Sequence, residues 1–289
     1  MTTLHLVDAT YELFRANFGA PPRETPAGEP IGAVYGLLSS LIAMIRDEEV
    51  THLGCATDHV VRSFRNDLWP GYKTEAGVPE ELLSQFGPAE EGLRALGVTV
   101  WPMTDFEADD GIASAITRFR HDFERIVICS PDKDFAQLVE GDRIVLRDRR
   151  RSLDYDASAV HEKWGVPPSA IADLLALMGD SADGFPGLPG WGAKTAATVL
   201  EEYGSIEAIP LDAAEWTVKV RGAVSRAETL REQLDDALLF KRLATLRTDA
   251  PIEESSQDLA TSGVPAEGFD AYCERQGFPK LAERARALR

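Results

Sequence analysis

Short apolar runs alternate with amphipathic stretches along the first half of the chain. Four runs have the length of buried strands, at 4–7, 52–57, 99–103 and 125–130. Apolar residues recur at helical spacing over 31–45, 79–96 and 107–120, and a loop rich in Pro and Gly occupies 19–30. Short apolar strands that alternate with helices are typical of a parallel sheet with both faces covered. The pattern therefore predicts an α/β fold.

The pattern changes in the second half of the chain. Residues 143–148 and 153–155 are predicted to pair as a hairpin, and beyond 156 the pattern is mostly helical. An apolar helix is predicted at 168–178, followed by a glycine-rich stretch at 179–195. We place a domain boundary at this change, with an α/β core at 1–160 and a helical region at 161–289.

The composition and the net charge of the chain argue against several classes of function. The 289 residues include 48 acidic and 30 basic ones, for a formal net charge of −18, which argues against nucleic-acid binding through a uniformly basic surface. The cysteines Cys55, Cys129 and Cys273 form no CxxC pair, so neither a zinc site nor a disulfide framework is predicted. No apolar run has the length of a membrane span or signal peptide. A cytoplasmic protein without membrane contacts is expected, with a monomer as the default.

Acidic residues follow the predicted strands. Asp8, Asp58 and Asp132 each come at or just after a strand end, and Glu107–Asp110 opens the helix that follows another strand. Acids also favour the first turn of a helix, so capping alone could account for Glu107, Asp109 and Asp110. Because the carboxyl ends of parallel strands share one edge of a sheet, the acids are expected to converge there. Such a cluster predicts a site for Mg²⁺ or Mn²⁺.

The glycine-rich stretch is similar to a phosphate-binding P-loop but does not match it. Ala193 stands between Gly192 and Lys194, and no strand precedes the stretch, so an NTPase is excluded. One alternative is a hairpin between two helices, in which the second helix starts near Gly192. Its free N–H groups, with Lys194 and Thr195, would then bind a phosphate without base specificity. The other alternative is a tight helix connection that needs Gly and Pro only for its turns.

Three motifs together give the sequence a family resemblance. They are Phe-Glu-Ala-Asp-Asp at 106–110, Asp-Lys-Asp-Phe-Ala-Gln-Leu at 132–138 and the glycine-rich motif at 179–196. In their order and content the chain resembles the bacterial flap endonuclease, or 5′-nuclease, family, as a free-standing relative with no polymerase region following. The resemblance implies a PIN-like parallel-sheet nuclease core with a helical arch around 68–90. It also implies a helix–three-turn–helix DNA-binding element around 175–205.

The same resemblance implies the cations of the site. Nine carboxylates would hold two divalent ions, either Mg²⁺ or Mn²⁺. Asp8, Asp58, Glu107, Asp109 and Asp132 would form one group, Asp180 and Asp183 the other, with Asp110 and Asp134 between them. Asp8 and Asp132 are therefore candidate catalytic residues. A K⁺ ion would bind the hairpin through main-chain carbonyls of Leu177, Met178, Pro186, Leu188 and Trp191.

Cationic residues near the predicted arch would contact DNA. Lys73 resembles the family lysine that places a positive charge on the scissile phosphate, a catalytic role. Tyr72 is predicted either to stack on a base or to be half-buried. The remaining DNA-binding candidates are Arg62, Arg65, Gly190, Gly192, Lys194 and Thr195. The arginine usual shortly after the Tyr-Lys pair is absent, since 74–77 reads Thr-Glu-Ala-Gly.

The resemblance implies a metal-dependent 5′-3′ exonuclease or flap endonuclease of DNA replication and repair. It would hydrolyse DNA with 5′ flaps or 5′ ends near the junction of single strand and duplex. Two alternatives stay open. A PIN-type ribonuclease would share the core but lack the long helical region, and a DNA-binding protein with a weakened site would keep the fold without the activity.

Overall fold

The computed structural model describes residues 2–19, 21–261 and 263–288. The strands are β1 (Thr3–Asp8), β2 (His52–Asp58), β3 (Thr99–Met103), β4 (Arg125–Cys129), β5 (Ile144–Asp148) and β6 (Leu153–Tyr155). The helices are α1 (Ala9–Gly19), α2 (Gly32–Asp47), α3 (Arg65–Leu68), α4 (Glu80–Leu83), α5 (Phe86–Ala95), α6 (Ala108–Phe119), α7 (Ala157–Trp164), α8 (Ile171–Met178), α9 (Ala193–Tyr203), α10 (Ala223–Glu232), α11 (Leu234–Ala244), α12 (Ala266–Gln276) and α13 (Pro279–Arg286). Short 3-10 helices cover Asp134–Leu138, Pro168–Ala170, Ile206–Ala208, Ala213–Glu215 and Ser256–Leu259.

The chain forms two compact units, and neither is continuous in sequence. Unit 1 comprises Met1–Val61, Glu75–Ser130 and Arg247–Arg289. Unit 2 comprises Arg62–Thr74 and Pro131–Leu246. In the part of the chain that the structure describes, no helix is both long and apolar enough to cross a membrane.

Unit 1 contains a parallel sheet in the order β3-β2-β1-β4. At its centre, Leu6 is opposite Gly54 on one side and Ile128 on the other. Leu6 and Ile128 are fully buried, and so is Ile112 of α6. Helix α6 has its apolar stripe at the predicted helical spacing. The prediction of a parallel α/β sheet is therefore confirmed.

The last part of the chain completes unit 1. The indole N–H of Trp101, on edge strand β3, donates to the carboxylate of Glu254 at 2.8 Å. The hydroxyl of Tyr272 donates to the main-chain carbonyl of Pro88 at 2.7 Å, and burial raises the pKa of this hydroxyl. The segments that carry Glu254 and Tyr272 thus pack on the elements that surround the sheet.

The prediction of one helix at 79–96 is wrong. The structure has two helices there, α4 and α5, separated at Ser84–Gln85. Pro88 has no N–H to donate to the carbonyl of Ser84, so the helical ladder cannot continue through this point, and proline is tolerated only in the first turn of the new helix. Helix α1, which follows β1 directly, has no counterpart among the predicted elements. The segment 68–90, where a helical arch is expected, contains turns, α4 and the start of α5.

Unit 2 is mostly helical. Strands β5 and β6 pair antiparallel, which confirms the predicted hairpin. Helices α8 and α9 are joined by residues 179–192, and α9 starts directly after Gly192, as predicted. Lys241 of α11 forms an ion pair with the buried carboxylate of Asp173 on α8 at 2.8 Å.

Candidate metal centre

In unit 1, Asp8 and Asp58 end adjacent parallel strands, as predicted. Asp8 is buried, and its two carboxylate oxygens accept hydrogen bonds from the main-chain N–H of Tyr11 at 2.8 Å and the hydroxyl of Ser130 at 3.2 Å. A carboxylate oxygen of Asp58 accepts from the N–H of Ala108 at 2.7 Å. Both acids therefore also satisfy the N–H groups that a helix leaves unpaired in its first turn.

Glu107 and Asp110 form a capping box at the start of α6. The N–H of Glu107 donates to one carboxylate oxygen of Asp110 at 3.1 Å, and the N–H of Arg247 donates to the other at 2.8 Å. Asp110 has no exposed surface. The structure therefore shows the capping role for this pair. Carboxylate oxygens that accept one hydrogen bond retain further lone pairs, so the metal-ligand role of Glu107 and Asp110 stays a prediction. Asp109 is half-buried.

Unit 2 contains the tightest acidic cluster. Asp134, Asp180 and Asp183 each direct one carboxylate oxygen to a point where all three lie within 4.8 Å of one another. Within residues 2–19, 21–261 and 263–288 this is the one group of three His, Cys, Asp or Glu residues so arranged. The structure gathers Asp134 with Asp180 and Asp183, the members of one of the two predicted metal groups, and its predicted place between the groups stays a prediction. We call these three residues the acidic cluster.

Local turns bring the acidic cluster together. The N–H of Asp180 donates to the carbonyl of Phe185 at 2.9 Å, and a carboxylate oxygen of Asp180 accepts from the N–H of Ala182 at 3.0 Å. This tight turn directs Asp180 and Asp183 to the same side. Asp132 is exposed, and one of its oxygens accepts from the N–H of Asp134 at 3.0 Å, at the entry to the 3-10 helix Asp134–Leu138.

The carboxylates of the acidic cluster repel one another. Asp134 is buried, and its Oδ1 has no hydrogen-bond partner. Burial raises the pKa of Asp134 well above its ordinary value, and the negative charges of Asp132 and Asp183 raise it further. A buried charge of this kind needs a counter-ion. The Nζ of Lys133 lies 3.7 Å from this oxygen, which is an ion pair but not a hydrogen bond. A carboxylate oxygen without a hydrogen bond, beside two further carboxylates, is the donor set that suits a hard divalent cation, so the residues present fit a metal ion.

Two lysines supply positive charge to the acidic cluster. The Nζ of Lys133 lies 2.5 Å from a carboxylate oxygen of Asp180, and the Nζ of Lys73 lies 3.1 Å from one of Asp183. Burial lowers the pKa of Lys133, but Asp134 and Asp180 outweigh this and leave it raised. Lys73 was a predicted site residue and Lys133 was not, although the position of Lys133 between Asp132 and Asp134 in the sequence indicates that it lies near the acids.

The segment that carries Lys73 is fixed to the turn of the acidic cluster. The N–H of Lys73 donates to the carbonyl of Asp183 at 3.0 Å, and the indole N–H of Trp69 donates to the carbonyl of Gly184 at 3.0 Å. The side-chain amide of Asn66 donates to the carbonyl of Lys73 at 2.9 Å. Lys73 is therefore held beside the cluster by its main chain as well as by its ammonium.

Two of the predicted DNA-binding residues are buried. Arg65 is 1% exposed, and its Nε donates to the carbonyl of Leu243 at 2.8 Å, so it is a structural residue and not a surface contact for DNA. Tyr72 is 3% exposed, so in this conformation its ring packs in the interior and does not offer a stacking face. Arg62 is exposed, as a DNA contact requires.

The helical hairpin presents the predicted phosphate-binding groups. Gly190, Gly192 and Lys194 are exposed, and Thr195 is half-buried at the start of α9. Of the carbonyls predicted to bind K⁺, that of Leu177 accepts from the N–H of Leu188 at 2.9 Å, and that of Leu188 accepts from the N–H of Trp191 at 3.1 Å. Each carbonyl oxygen retains a second lone pair. Met178 and Pro186 lie in the same connection.

Gly184 is required by close backbone packing. Its φ is +83°, and a Cβ at this position would collide with the main-chain oxygen of Gly71. We expect Gly184→Ala to destabilise the protein by more than the ~1–2 kcal/mol of a left-handed conformation, because the collision adds to it. Thermal unfolding measures the difference. Gly204→Ala is the matched control, since its φ is +80° with open space around it. Equal loss in both variants would contradict the close packing.

Comparison with known families covers most of the chain. Residues 3–165 match the N-terminal, resolvase-like domain of 5′-3′ exonucleases. Residues 166–267 match the C-terminal SAM-fold domain of 5′-3′ exonucleases. The second match covers the helical region that a PIN-type ribonuclease would lack.

Individual relatives agree with the family match. A 5′-3′ exonuclease of Aquifex aeolicus is 34% identical over 260 residues, which is 90% of this chain and 86% of that protein. DNA polymerase I of Rhizobium leguminosarum is 39% identical over 291 residues, which is 97% of this chain but 28% of the polymerase. The chain thus spans about 28% of the length of this polymerase.

A solved structure shares the fold. The bacteriophage T5 flap endonuclease, in a complex with DNA and metal ions, aligns with a TM-score of 0.67 at 20% identity, covering 97% of this chain and 99% of that one. The two matches that run through residues 3–267 and the relative from Aquifex aeolicus lead to one conclusion. The chain belongs to the 5′-3′ exonuclease family.

Proposed function

We propose that the protein is a metal-dependent, structure-specific 5′ nuclease. It hydrolyses DNA phosphodiesters near the junction of single strand and duplex, at 5′ flaps or 5′ ends, and leaves a 5′-phosphate and a 3′-hydroxyl. The observation that carries this proposal is the acidic cluster of Asp134, Asp180 and Asp183, with the ammonium of Lys73 beside Asp183 and that of Lys133 beside Asp180 and Asp134. The T5 flap endonuclease, which shares the fold, has been solved with DNA and metal ions.

The chain's own residues have distinct roles in this proposal. Asp134, Asp180 and Asp183 hold a divalent cation, Mg²⁺ or Mn²⁺, and Asp132, Asp8, Asp58, Glu107 and Asp109 are proposed as further ligands from the family's motifs. Divalent ions held by these residues would supply a water of lowered pKa and positive charge for the attacking and leaving oxygens. Lys73, with 32% of its side chain exposed, turns from Asp183 to the scissile phosphate and stabilises its developing charge.

DNA binding must overcome the net charge of −18. We propose that local surfaces do this, with Arg62 near Lys73 and with Gly190, Gly192, Lys194 and Thr195 in the helical hairpin. These groups contact phosphates, so they select shape and not base sequence. A K⁺ ion at the carbonyls of the hairpin would add positive charge at the same place. The proposed roles in DNA replication and repair follow from the substrate.

Cleavage of a labelled 5′-flap duplex tests the proposed function. We expect cleavage near the junction with Mg²⁺ or Mn²⁺ and none with EDTA, because the carboxylates repel the phosphate until cations neutralise them. The same flap made of RNA should be cut more slowly, whereas preferential RNA cleavage would favour the ribonuclease alternative. Absence of cleavage with both ions, together with tight flap binding, would favour a DNA-binding protein with a weakened site.

A further inference from the structure

The C-terminus of α11 is the common anchor for the segments that form the acidic cluster. The last carbonyls of a helix have no partner within it, and leaving them unpaired in the interior is unfavourable. Here the carbonyls of Leu243 and Thr245 accept from the guanidinium of Arg65 at 2.8 and 3.3 Å. The carbonyl between them, that of Ala244, accepts from the amide of Gln137 at 3.0 Å.

Each of these two side chains connects the helix end to a different part of the site. Gln137 also donates to the carbonyl of Asp134 at 2.8 Å, and its oxygen accepts from the N–H of Leu246 at 3.0 Å. It therefore fixes the main chain at the buried carboxylate of the acidic cluster. Arg65 lies at the start of α3, on the segment that continues through Trp69 to Lys73.

Aromatic packing joins the third segment to the same helix. The ring of Phe240 on α11 lies 5.3 Å from that of Trp69 and 5.7 Å from that of Phe185. Phe185 closes the turn that contains Asp180 and Asp183. Contacts on α11 therefore connect all three segments that supply the acidic cluster and its lysine Lys73.

Because Arg65 is buried, its guanidinium requires hydrogen-bond acceptors around it. Its side chain is 1% exposed, and a buried guanidinium is tolerated only where acceptors surround it. The partial negative charge at a helix C-terminus is such an environment. The helix end needs donors and the guanidinium needs acceptors, so each satisfies the other's hydrogen bonds.

We propose that Arg65 and Gln137 are positioning residues of the nuclease site. By holding the C-terminus of α11, Arg65 sets the place of Lys73, and Gln137 sets the place of Asp134. Neither side chain needs to touch substrate. This inference rests on the proposed function. Its kinetic readout requires DNA cleavage, whereas its metal-binding readout requires only that the acidic cluster binds a divalent cation.

Metal binding tests the role of Gln137. Gln137→Leu keeps nearly the same size and removes all three hydrogen bonds. We expect calorimetric titration with Mn²⁺ to show affinity reduced about 10- to 100-fold, as for other partners that orient ligands. Gln257→Leu, at an exposed glutamine, should leave the affinity unchanged. An unchanged Mn²⁺ affinity in folded Gln137→Leu would overturn the proposal, whether or not the wild type cuts DNA.

Kinetics test the role of Arg65. In Arg65→Met we expect kcat on a 5′-flap duplex to fall about 10-fold or more with KM nearly unchanged, because Lys73 is displaced but DNA contacts remain. Arg65→Lys should recover part of kcat, since its ammonium can still reach one carbonyl. Arg231→Lys, at an exposed arginine, is the control. If Arg65→Met does not fold, the same kinetics are measured on Arg65→Lys instead. A folded Arg65 variant with a lowered Tm but the kcat of the wild type would show a merely structural role and refute the proposal.

Discussion

Asp134→Asn is expected to abolish cleavage and, at the same time, to stabilise the metal-free protein. The buried carboxylate has one oxygen without a hydrogen bond, with Lys133 at 3.7 Å, and it lies among like charges. A neutral amide removes the cost of burying a charge and the repulsion from Asp132 and Asp183, which should raise the free energy of unfolding by about 2 kcal/mol. The rate of cleavage of a 5′-flap duplex should fall at least about 10²-fold, because the cation loses a ligand and the geometry of the site is disturbed.

The pH dependence of stability is a second measurement that tests the prediction for Asp134→Asn. The pKa of Asp134 is raised in the folded protein above the ordinary value of 3.8, so the folded state binds this proton more tightly than the unfolded state. Metal-free wild type should therefore lose stability as pH rises from about 4 through the folded pKa. Asp134→Asn should lack that loss. Asp142→Asn, at an exposed acid, is the control for the cleavage and the stability measurements. An Asp134→Asn variant less stable than the wild type would contradict the prediction.

Lys73→Met is expected to slow cleavage with little change in DNA binding. Its ammonium is the one that the proposed mechanism brings to the scissile phosphate, and removing one such electrostatic contact lowers kcat by about 10²- to 10³-fold. Binding should change little, because other phosphate contacts remain. Single-turnover rates with saturating enzyme separate the two effects, and fluorescence anisotropy of the labelled flap measures affinity.

Two further variants sharpen the Lys73 test. Lys73→Arg keeps the positive charge but changes its shape, so it should retain more activity than Lys73→Met. Lys280→Met, at an exposed lysine of α13, should behave as the wild type. Equal rates for Lys73→Met and the wild type would remove Lys73 from the mechanism, and a loss of binding equal to the loss of rate would make it a DNA-binding residue only.

Sequence patterns predicted the elements whose signals are local. The four parallel strands, the β5–β6 hairpin and the start of α9 after Gly192 all follow from periodicity and glycine placement. The acidic residues of the site were also visible, because they follow strands or belong to compact motifs. The break between α4 and α5 was missed although Pro88 signals it.

Other features depended on residues far apart in the chain. Arginine is usually exposed, and nothing near Arg65 indicates that its acceptor lies 178 residues away, on Leu243. The grouping of Asp134 with Asp180 and Asp183 likewise depends on how the chain folds back on itself, about 45 residues further along. The capping role of Asp110 was foreseen as an alternative, but its hydrogen bond from Arg247 was not.

The discontinuity of unit 1 has a consequence for how the protein folds as it leaves the ribosome. Trp101 on edge strand β3 emerges 153 residues before its partner Glu254. At ordinary rates of translation this interval lasts roughly ten seconds or more. During that time the strand edge lacks the segment that later packs against it, and such edges are where nascent chains associate wrongly. We therefore expect the nascent chain to be most prone to wrong association before residue 254 has been synthesised.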